Sequence, residues 1–237
     1  MFYIGTSGWS YNHWIKIFYP ENLEKNKWLS FYSKYFNTVE VNSTFYRIPF
    51  ENIVKSWYKK VPDNFFFSIK GPKVITHKMK LKGGNEYFKK FFERVSLLNE
   101  KLKLILWQLP PSLKKDIPLL ENFISMLPNN YKHAIEFRNN SWFVDELFDL
   151  LQNHNIAFCI SDSSRFKSLW IKTANFVYIR FHGPKNLYAS EYGDKLIEYA
   201  KKIKEFNCEA YIYFNNDFNG YAIKDALKLK KLLKEKL

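Results

Sequence analysis

The sequence predicts a TIM-type (β/α)8 barrel, an α/β fold of one domain, with a polar pocket at the C-terminal ends of its strands. Three observations predict it. Short runs rich in β-branched and aromatic residues alternate with longer amphipathic segments, which is the pattern of βα units. Eight such runs occur. Several of them turn from apolar to charged at their C-terminal ends, where barrel enzymes build their sites. A doubly wound open sheet shows the same alternation, but eight strands with nothing left over close more naturally into a barrel.

The expected strands are residues 2–7, 38–42, 65–70, 103–109, 133–138, 156–162, 176–182 and 210–215. In most cases their spacing leaves room for a loop, a helix and a return loop. Residues 86–95 carry aromatics at i, i+3, i+4 spacing with charges opposite, and Asn85, after Gly83-Gly84, is the expected N-cap. Further helices are expected over 24–35, 51–60, 117–127, 144–154, 191–206 and 222–236, while 163–175 is the least clear stretch. No repeat, low-complexity tract or linker interrupts the chain, so residues 1–237 read as one domain.

Composition agrees with a globular chain: 46% hydrophobic and 25% charged residues, with 23 Phe, 16 Tyr and 7 Trp to fill a core. Disorder is excluded on these values. The start, Met1-Phe2-Tyr3-Ile4-Gly5, lacks the basic and apolar regions of a signal peptide. No apolar run approaches the roughly 20 residues that span a bilayer, so no membrane association is expected. Cys159 and Cys208 stand outside any metal or redox spacing and read as inert thiols, which fits a cytoplasmic protein. The net charge of +14 would attract polyanions. Much of that excess, including Lys224, Lys228, Lys230, Lys231, Lys234 and Lys236, also has the look of a solvated helix face.

In a barrel both faces of a strand are covered, so charge inside a strand needs a reason. Glu40 lies between Val39 and Val41, Glu136 between Ile135 and Phe137, and Arg180 between Ile179 and Phe181. Alternation lets the apolar neighbours face the helices while the charged residue points to the barrel axis. The same parity carries Asn42, Arg138 and His182 inward. Lys70, Gln108, Asp162, Asn215 and the Gly5-Thr6-Ser7-Gly8 turn add polar groups at other strand ends. Three acids (Glu40, Glu136, Asp162) then oppose three bases (Lys70, Arg138, Arg180). A self-neutralising ion network of purely structural use is the competing reading.

Four chemistries suit these residues. A divalent metal could use Glu40, Glu136, Asp162, His182 and His77, but no HxH, HExxH or CxxC spacing occurs, and three cations would compete for the carboxylates; this reading is not favoured and the cofactor stays open. Glycoside hydrolysis could pair Glu40 with Glu136. Acid–base catalysis could draw on Glu40, Glu136, Asp162 and His182, with Lys70, Arg138 and Arg180 clamping an anion. Ser7, Trp9, Asn42, Tyr46, Gln108 and Asn215 would complete the binding surface. Nucleic-acid binding would need stacking rings at the mouth, where Trp9, Tyr11, Trp14, Tyr46, Trp142, Tyr188 and Tyr192 all follow strands. Core packing should claim at least half of them.

The strand ends also carry a resemblance. Gly5-Thr6-Ser7-Gly8-Trp9-Ser10-Tyr11 with Trp14 and Phe18-Tyr19-Pro20, and then Val39-Glu40-Val41-Asn42-Ser43-Thr44-Phe45-Tyr46, resemble the domain of unknown function 72 family. The likeness continues through Phe67-Ser68-Ile69-Lys70 with Thr76-His77, Gln108-Leu109-Pro110-Pro111, Glu136-Phe137-Arg138 with Trp142, and Asp162. It ends on Arg180-Phe181-His182-Gly183 and Tyr213-Phe214-Asn215-Asn216. The resemblance implies a TIM barrel with a polar cavity at these positions, and no reaction. The segment after Arg180-Phe181-His182-Gly183 is short, a departure that bears on any loop covering a substrate.

The leading expectation is an enzyme acting on a polar, anionic, phosphorylated or nucleotide-like substrate. The alternative partner is nucleic acid or a nucleotide held without catalysis, and glycan hydrolysis comes third.

Overall fold

Hydrogen-bond pairing in the computed structural model, which describes residues 1–234, joins eight strands in parallel. They are β1 (Phe2–Thr6), β2 (Thr38–Val41), β3 (Phe66–Lys70), β4 (Leu102–Gln108), β5 (Lys132–Glu136), β6 (Ala157–Asp162), β7 (Phe176–Phe181) and β8 (Glu209–Phe214). Each pairs with its sequence neighbour, and β1 pairs with β8, as a barrel requires.

The seam between β1 and β2 is the exception. Only the Ser7–Glu40 bridge pairs the two there, with the Gly8 N–H donating to the Glu40 carbonyl at 2.8 Å. Lower down, a side chain replaces the missing ladder bonds, as the Tyr32 hydroxyl accepts from the Thr6 N–H at 2.9 Å and donates toward the Thr38 carbonyl at 3.2 Å. Gly5 makes room for this. A Cβ at that position would fall 2.2 Å from the Thr38 carbonyl oxygen, so no larger residue fits the close approach.

Outside the barrel lie α1 (Trp28–Tyr32), α2 (Ser43–Tyr46), α3 (Glu51–Lys59), α4 (Asn85–Val95), α5 (Ile117–Ser125), α6 (Asp145–Asn153), α7 (Lys195–Glu205) and α8 (Tyr221–Lys234). Several differ from the sequence expectation. The 24–35 segment holds a 3-10 turn and the five-residue α1, because Trp28 is fixed by stacking on Tyr19 (4.7 Å, 7°) and by its Nε1 bond to the Leu23 carbonyl at 3.0 Å. At α4 the N-cap is Gly84, at φ +96°, and Asn85 is the first helical residue. α7 starts at Lys195 rather than 191, since the Asp225 carboxylate takes the N–H groups of Tyr192 (3.0 Å) and Gly193 (3.4 Å) before the helix begins. Lys236, placed in the last helix by the sequence, lies outside the described residues.

Residues 163–175 form no helix. Trp170 covers that gap by stacking on Phe206 (6.2 Å, 8°) and lying tilted against Tyr199 (5.2 Å, 30°), while the Thr173 hydroxyl donates to the Ile156 carbonyl and accepts from the Phe158 N–H, each at 2.7 Å.

Two apolar shells result. The large one lies between strands and helices; the smaller fills the barrel with Tyr3, Leu104, Leu106, Tyr178, Tyr211 and Tyr213 among others. The Tyr213 hydroxyl sits 2.7 Å from both the Thr38 and Ser68 hydroxyls, so the barrel interior is plugged and the polar mouth rests on a packed floor. No helix among the described residues is long and apolar enough to cross a membrane.

Tyr32→Phe removes the hydroxyl that stands in for the β1–β2 ladder and leaves the Thr6 N–H buried without a partner. Urea unfolding should show a loss of about 1–3 kcal/mol with an unchanged m-value.

Candidate functional site at the barrel mouth

Arg180 enters the mouth from β7 with 1% of its surface exposed. Its Nε and Nη2 grip the Glu40 carboxylate at 2.9 and 2.8 Å, and its Nη1 reaches Glu136 at 2.5 Å. One guanidinium therefore ties β7 to β2 and β5. Glu40 has no free oxygen left: Ser7 donates to Oε1 and Tyr178 to Oε2, each at 2.6 Å. Burial by itself would lower the Arg180 pKa, but the two carboxylates override it and raise it well above the usual value.

Glu136 is completely buried and meets two cations, with Arg138 against Oε1 and Arg180 against Oε2. Burial pushes its carboxyl up, yet Arg138 and Arg180 outweigh that and hold it well below the usual carboxylate range. Both oxygens of Glu136 are therefore engaged by guanidinium groups. The Arg138 Nε and the Asn42 Oδ1 are buried without a hydrogen-bond partner among the described residues.

His182 continues the inner face of β7. Its Nε2 lies 3.2 Å from Arg138 Nη2 and its Nδ1 lies 3.0 Å from the Asn215 amide. Burial first, and Arg180 second, push its pKa well below the ordinary value, so the ring is neutral. A neutral ring that accepts from Arg138 carries its proton on Nδ1, and the Asn215 amide is then assigned with its oxygen toward that proton.

Lys70 stands apart from these pairs. Its side chain is nine-tenths buried, no carboxylate lies within ion-pair distance among the described residues, and its ammonium sits 4.1 Å from the centre of the Phe45 ring. Burial, followed by repulsion from Arg180, lowers its pKa from 10.5 to about 7.

Asp162 corrects the sequence reading. It does not face the barrel axis: its carboxylate receives the hydroxyls of Tyr192 and Tyr199 at 2.8 Å each and lies 3.8 Å from Lys195, all on the α7 side. The alternation in β6 explains why. Cys159 and Ser161 share the inner face, so Asp162 falls with Phe158 and Ile160 on the outer one. The mouth thus holds two acids against three bases.

At the rim, Trp9 is half-buried and packs edge-on against Trp57 of α3 (5.7 Å, 90°). Gln108 and Asn215 stand half-buried at their strand ends, and Tyr46 is 66% exposed. Of the seven aromatics expected near the mouth, Trp14, Trp142 and Tyr192 are core, Trp9 and Tyr11 are half-buried, and Tyr46 and Tyr188 are exposed. His77 touches the Phe45 ring edge-on (5.0 Å) and Thr76, and pairs with no acid among the described residues. Sequence reasoning missed Tyr178 and Phe45. Tyr178 was legible by parity with Arg180, whereas Phe45 sits on a one-turn helix with no periodic signal.

The family described as "Protein of unknown function DUF72" matches residues 3–237. The chain belongs to the DUF72 family. A DUF72 family structure from Thermotoga maritima superposes with a TM-score of 0.90 at 32% identity, covering 99% of this chain and 100% of that one. A second, from Enterococcus faecalis, gives a TM-score of 0.83 at 21% identity and shares the fold. The UPF0759 protein YecE of Escherichia coli is 30% identical over 144 residues, 60% of this chain and 50% of that protein, so the match spans half of that relative. The UPF0759 protein YunF of Bacillus subtilis is 25% identical across 98% of this chain and 95% of its own. The fold implied by the strand-end motifs is thus the one this DUF72 chain adopts.

Two expectations follow for the DUF72 mouth. Arg180→Met strands two buried carboxylates and should cost about 3–5 kcal/mol in chemical denaturation. Lys70 works in the opposite sense. Between about pH 7 and 10.5 the unfolded chain holds more protons than the folded one, so its burial penalty is full below pH 7 and fades as the pH rises to 10.5. Lys70→Met should therefore stabilise the fold by on the order of 1–4 kcal/mol below pH 7 and by progressively less toward pH 10.5, as read from melting curves across that range.

Proposed function

We propose that the barrel mouth binds a small anionic substrate, phosphorylated or nucleotide-like, and transfers protons on it. The observation that carries this reading is the unbalanced charge left once Asp162 faces outward: Glu40 and Glu136 offset Arg180 and Arg138, and Lys70 has no counter-charge. An anion would supply it. Arg138, with its Nε unpartnered and its guanidinium over the Phe166 ring at 5.6 Å, is the natural clamp.

The roles divide by saturation. Glu40 has both oxygens filled by protein donors and serves as a positioning residue for Arg180. Proton transfer falls to Lys70, whose pKa is lowered to about 7, while neutral His182 holds Arg138 and the Asn215 amide, and Glu136 holds the two guanidiniums. A glycosidase pair fits less well, since Glu40 and Glu136 hold the same guanidinium. Among the described residues no three His, Cys, Asp or Glu side chains converge as a protein-only metal site would need. The free thiols of Cys159, buried, and Cys208, half-buried, support a cytoplasmic setting.

One observation favours a second reading. Tyr46, Tyr188 and Phe218 are 66%, 44% and 54% exposed in the segments that follow β2, β7 and β8, and Lys73 lies 5.3 Å from the Tyr46 ring. Exposed rings beside cations are what single-stranded nucleic acid stacks on.

Thermal shift with inorganic phosphate, pyrophosphate and adenosine monophosphate at low salt tests both readings. Stabilisation should reach about 2.7 kcal/mol at a hundredfold excess over Kd and should vanish in Arg138→Met. No shift with any of the three would sink the small-anion reading. Retardation of single-stranded oligonucleotides that fades steeply with salt and is lost in Tyr46→Ala would favour the second instead.

A further inference from the structure

Lys70 has the setting of a nucleophile as well as that of a counter-ion. An amine meant only to bind an anion is best left solvated and charged, and its burial weakens it in that role. Lys70 instead is nine-tenths buried, lacks any carboxylate within ion-pair reach among the described residues, and rests on an aromatic face. Its placement is over-determined. The Thr44 hydroxyl lies 2.7 Å from the Lys70 carbonyl oxygen and holds α2, which carries Phe45, over β3. Gly71 lets the chain pass the Trp107 ring, where a Cβ would come within 2.3 Å.

We infer that Lys70 forms an imine with a carbonyl compound that carries an anionic group, such as a 2-oxo acid or a phosphorylated aldehyde. The inference rests on the anion-binding reading above and names its substrate class. The neutral amine attacks the carbonyl carbon, a C–N bond forms, and the C–O bond then breaks. One proton is taken up, the oxygen leaves as water with two protons, and an iminium on Lys70 remains. Arg138, whose Nε has no hydrogen-bond partner among the described residues, would hold the anionic group, and the proton taken up comes from solvent.

The charged groups around the amine decide how much of it is free. Arg180 and Arg138 push its proton off, Glu136 and Glu40 hold it on, and His77 faces it across Phe45. Burial and the two guanidiniums prevail, which leaves the amine about half neutral near pH 7.

The test uses the full chain with two probes, glyoxylate and pyridoxal 5′-phosphate, each trapped by borohydride and mapped by peptide mass spectrometry. At neutral pH the reduced adduct should form on Lys70 at least about tenfold faster than on surface lysines, because those stay almost wholly protonated. Its rate should rise through about pH 7, and inorganic phosphate should slow it. Lys70→Met should fold and lose the adduct, and Arg138→Met should slow its formation. Adducts scattered over surface lysines with Lys70 unmodified would overturn the inference. If phosphate still shifts the melting temperature in that case, anion binding stands and only the imine is lost. If neither occurs, both readings fall.

Discussion

The Arg180 guanidinium is the interaction on which the upper half of the barrel depends. Two carboxylates and a guanidinium in a dry core are expensive to desolvate, and apolar packing would usually serve stability as well. Here the geometry repays much of that cost, because every hydrogen-bonding site on Glu40 is filled and Arg180 uses three of its nitrogens. The same group sits beside the weakest seam of the fold. β1 and β2 pair only at Ser7 and Glu40, and both of those residues belong to the ion cluster. Closure of the barrel and organisation of the mouth are therefore one physical event.

Much of this was legible in the sequence, because a buried strand that breaks its apolar run must have a reason. Glu40, Glu136 and Arg180 each stand between large apolar residues, and alternation alone sends them inward with Arg138 and His182. Asp162 misled for an equally physical cause. It closes a strand and is flanked by small polar residues, so its neighbours do not announce a face. The signal lay further back, in Phe158 and Ile160 against Ala157, Cys159 and Ser161: the bulky residues pack on helices and the small ones line the axis, which puts Asp162 outside. The helices were less legible where single aromatics set their ends, as Trp28 does. The helix-free 163–175 crossing relies on Trp170 and Thr173, two contacts that leave no period to detect.

The correction at Asp162 changes the electrostatics more than the geometry. With three acids the mouth would have been self-neutral, and a structural network would have explained it completely. With two, the pairs made by Glu40 and Glu136 consume Arg180 and Arg138 and leave one ammonium over. The overall charge of +14 is a separate matter, since it is spread over exposed lysines that a mobile salt atmosphere screens, whereas the Lys70 charge is buried and screened little.

That residual amine is what the proposed site rests on. A cluster selected for stability alone would end in a methionine or leucine at position 70, where the side chain lies against Phe45 and the packing needs no charge. The lysine stands there at a cost to folding, and burial with repulsion from Arg180 brings its pKa to about 7. Asn42 and Arg138 each carry a buried polar atom without a hydrogen-bond partner among the described residues. The uncompensated charge above a floor packed by Tyr178 and Tyr213 is what the proposed anionic substrate would complete.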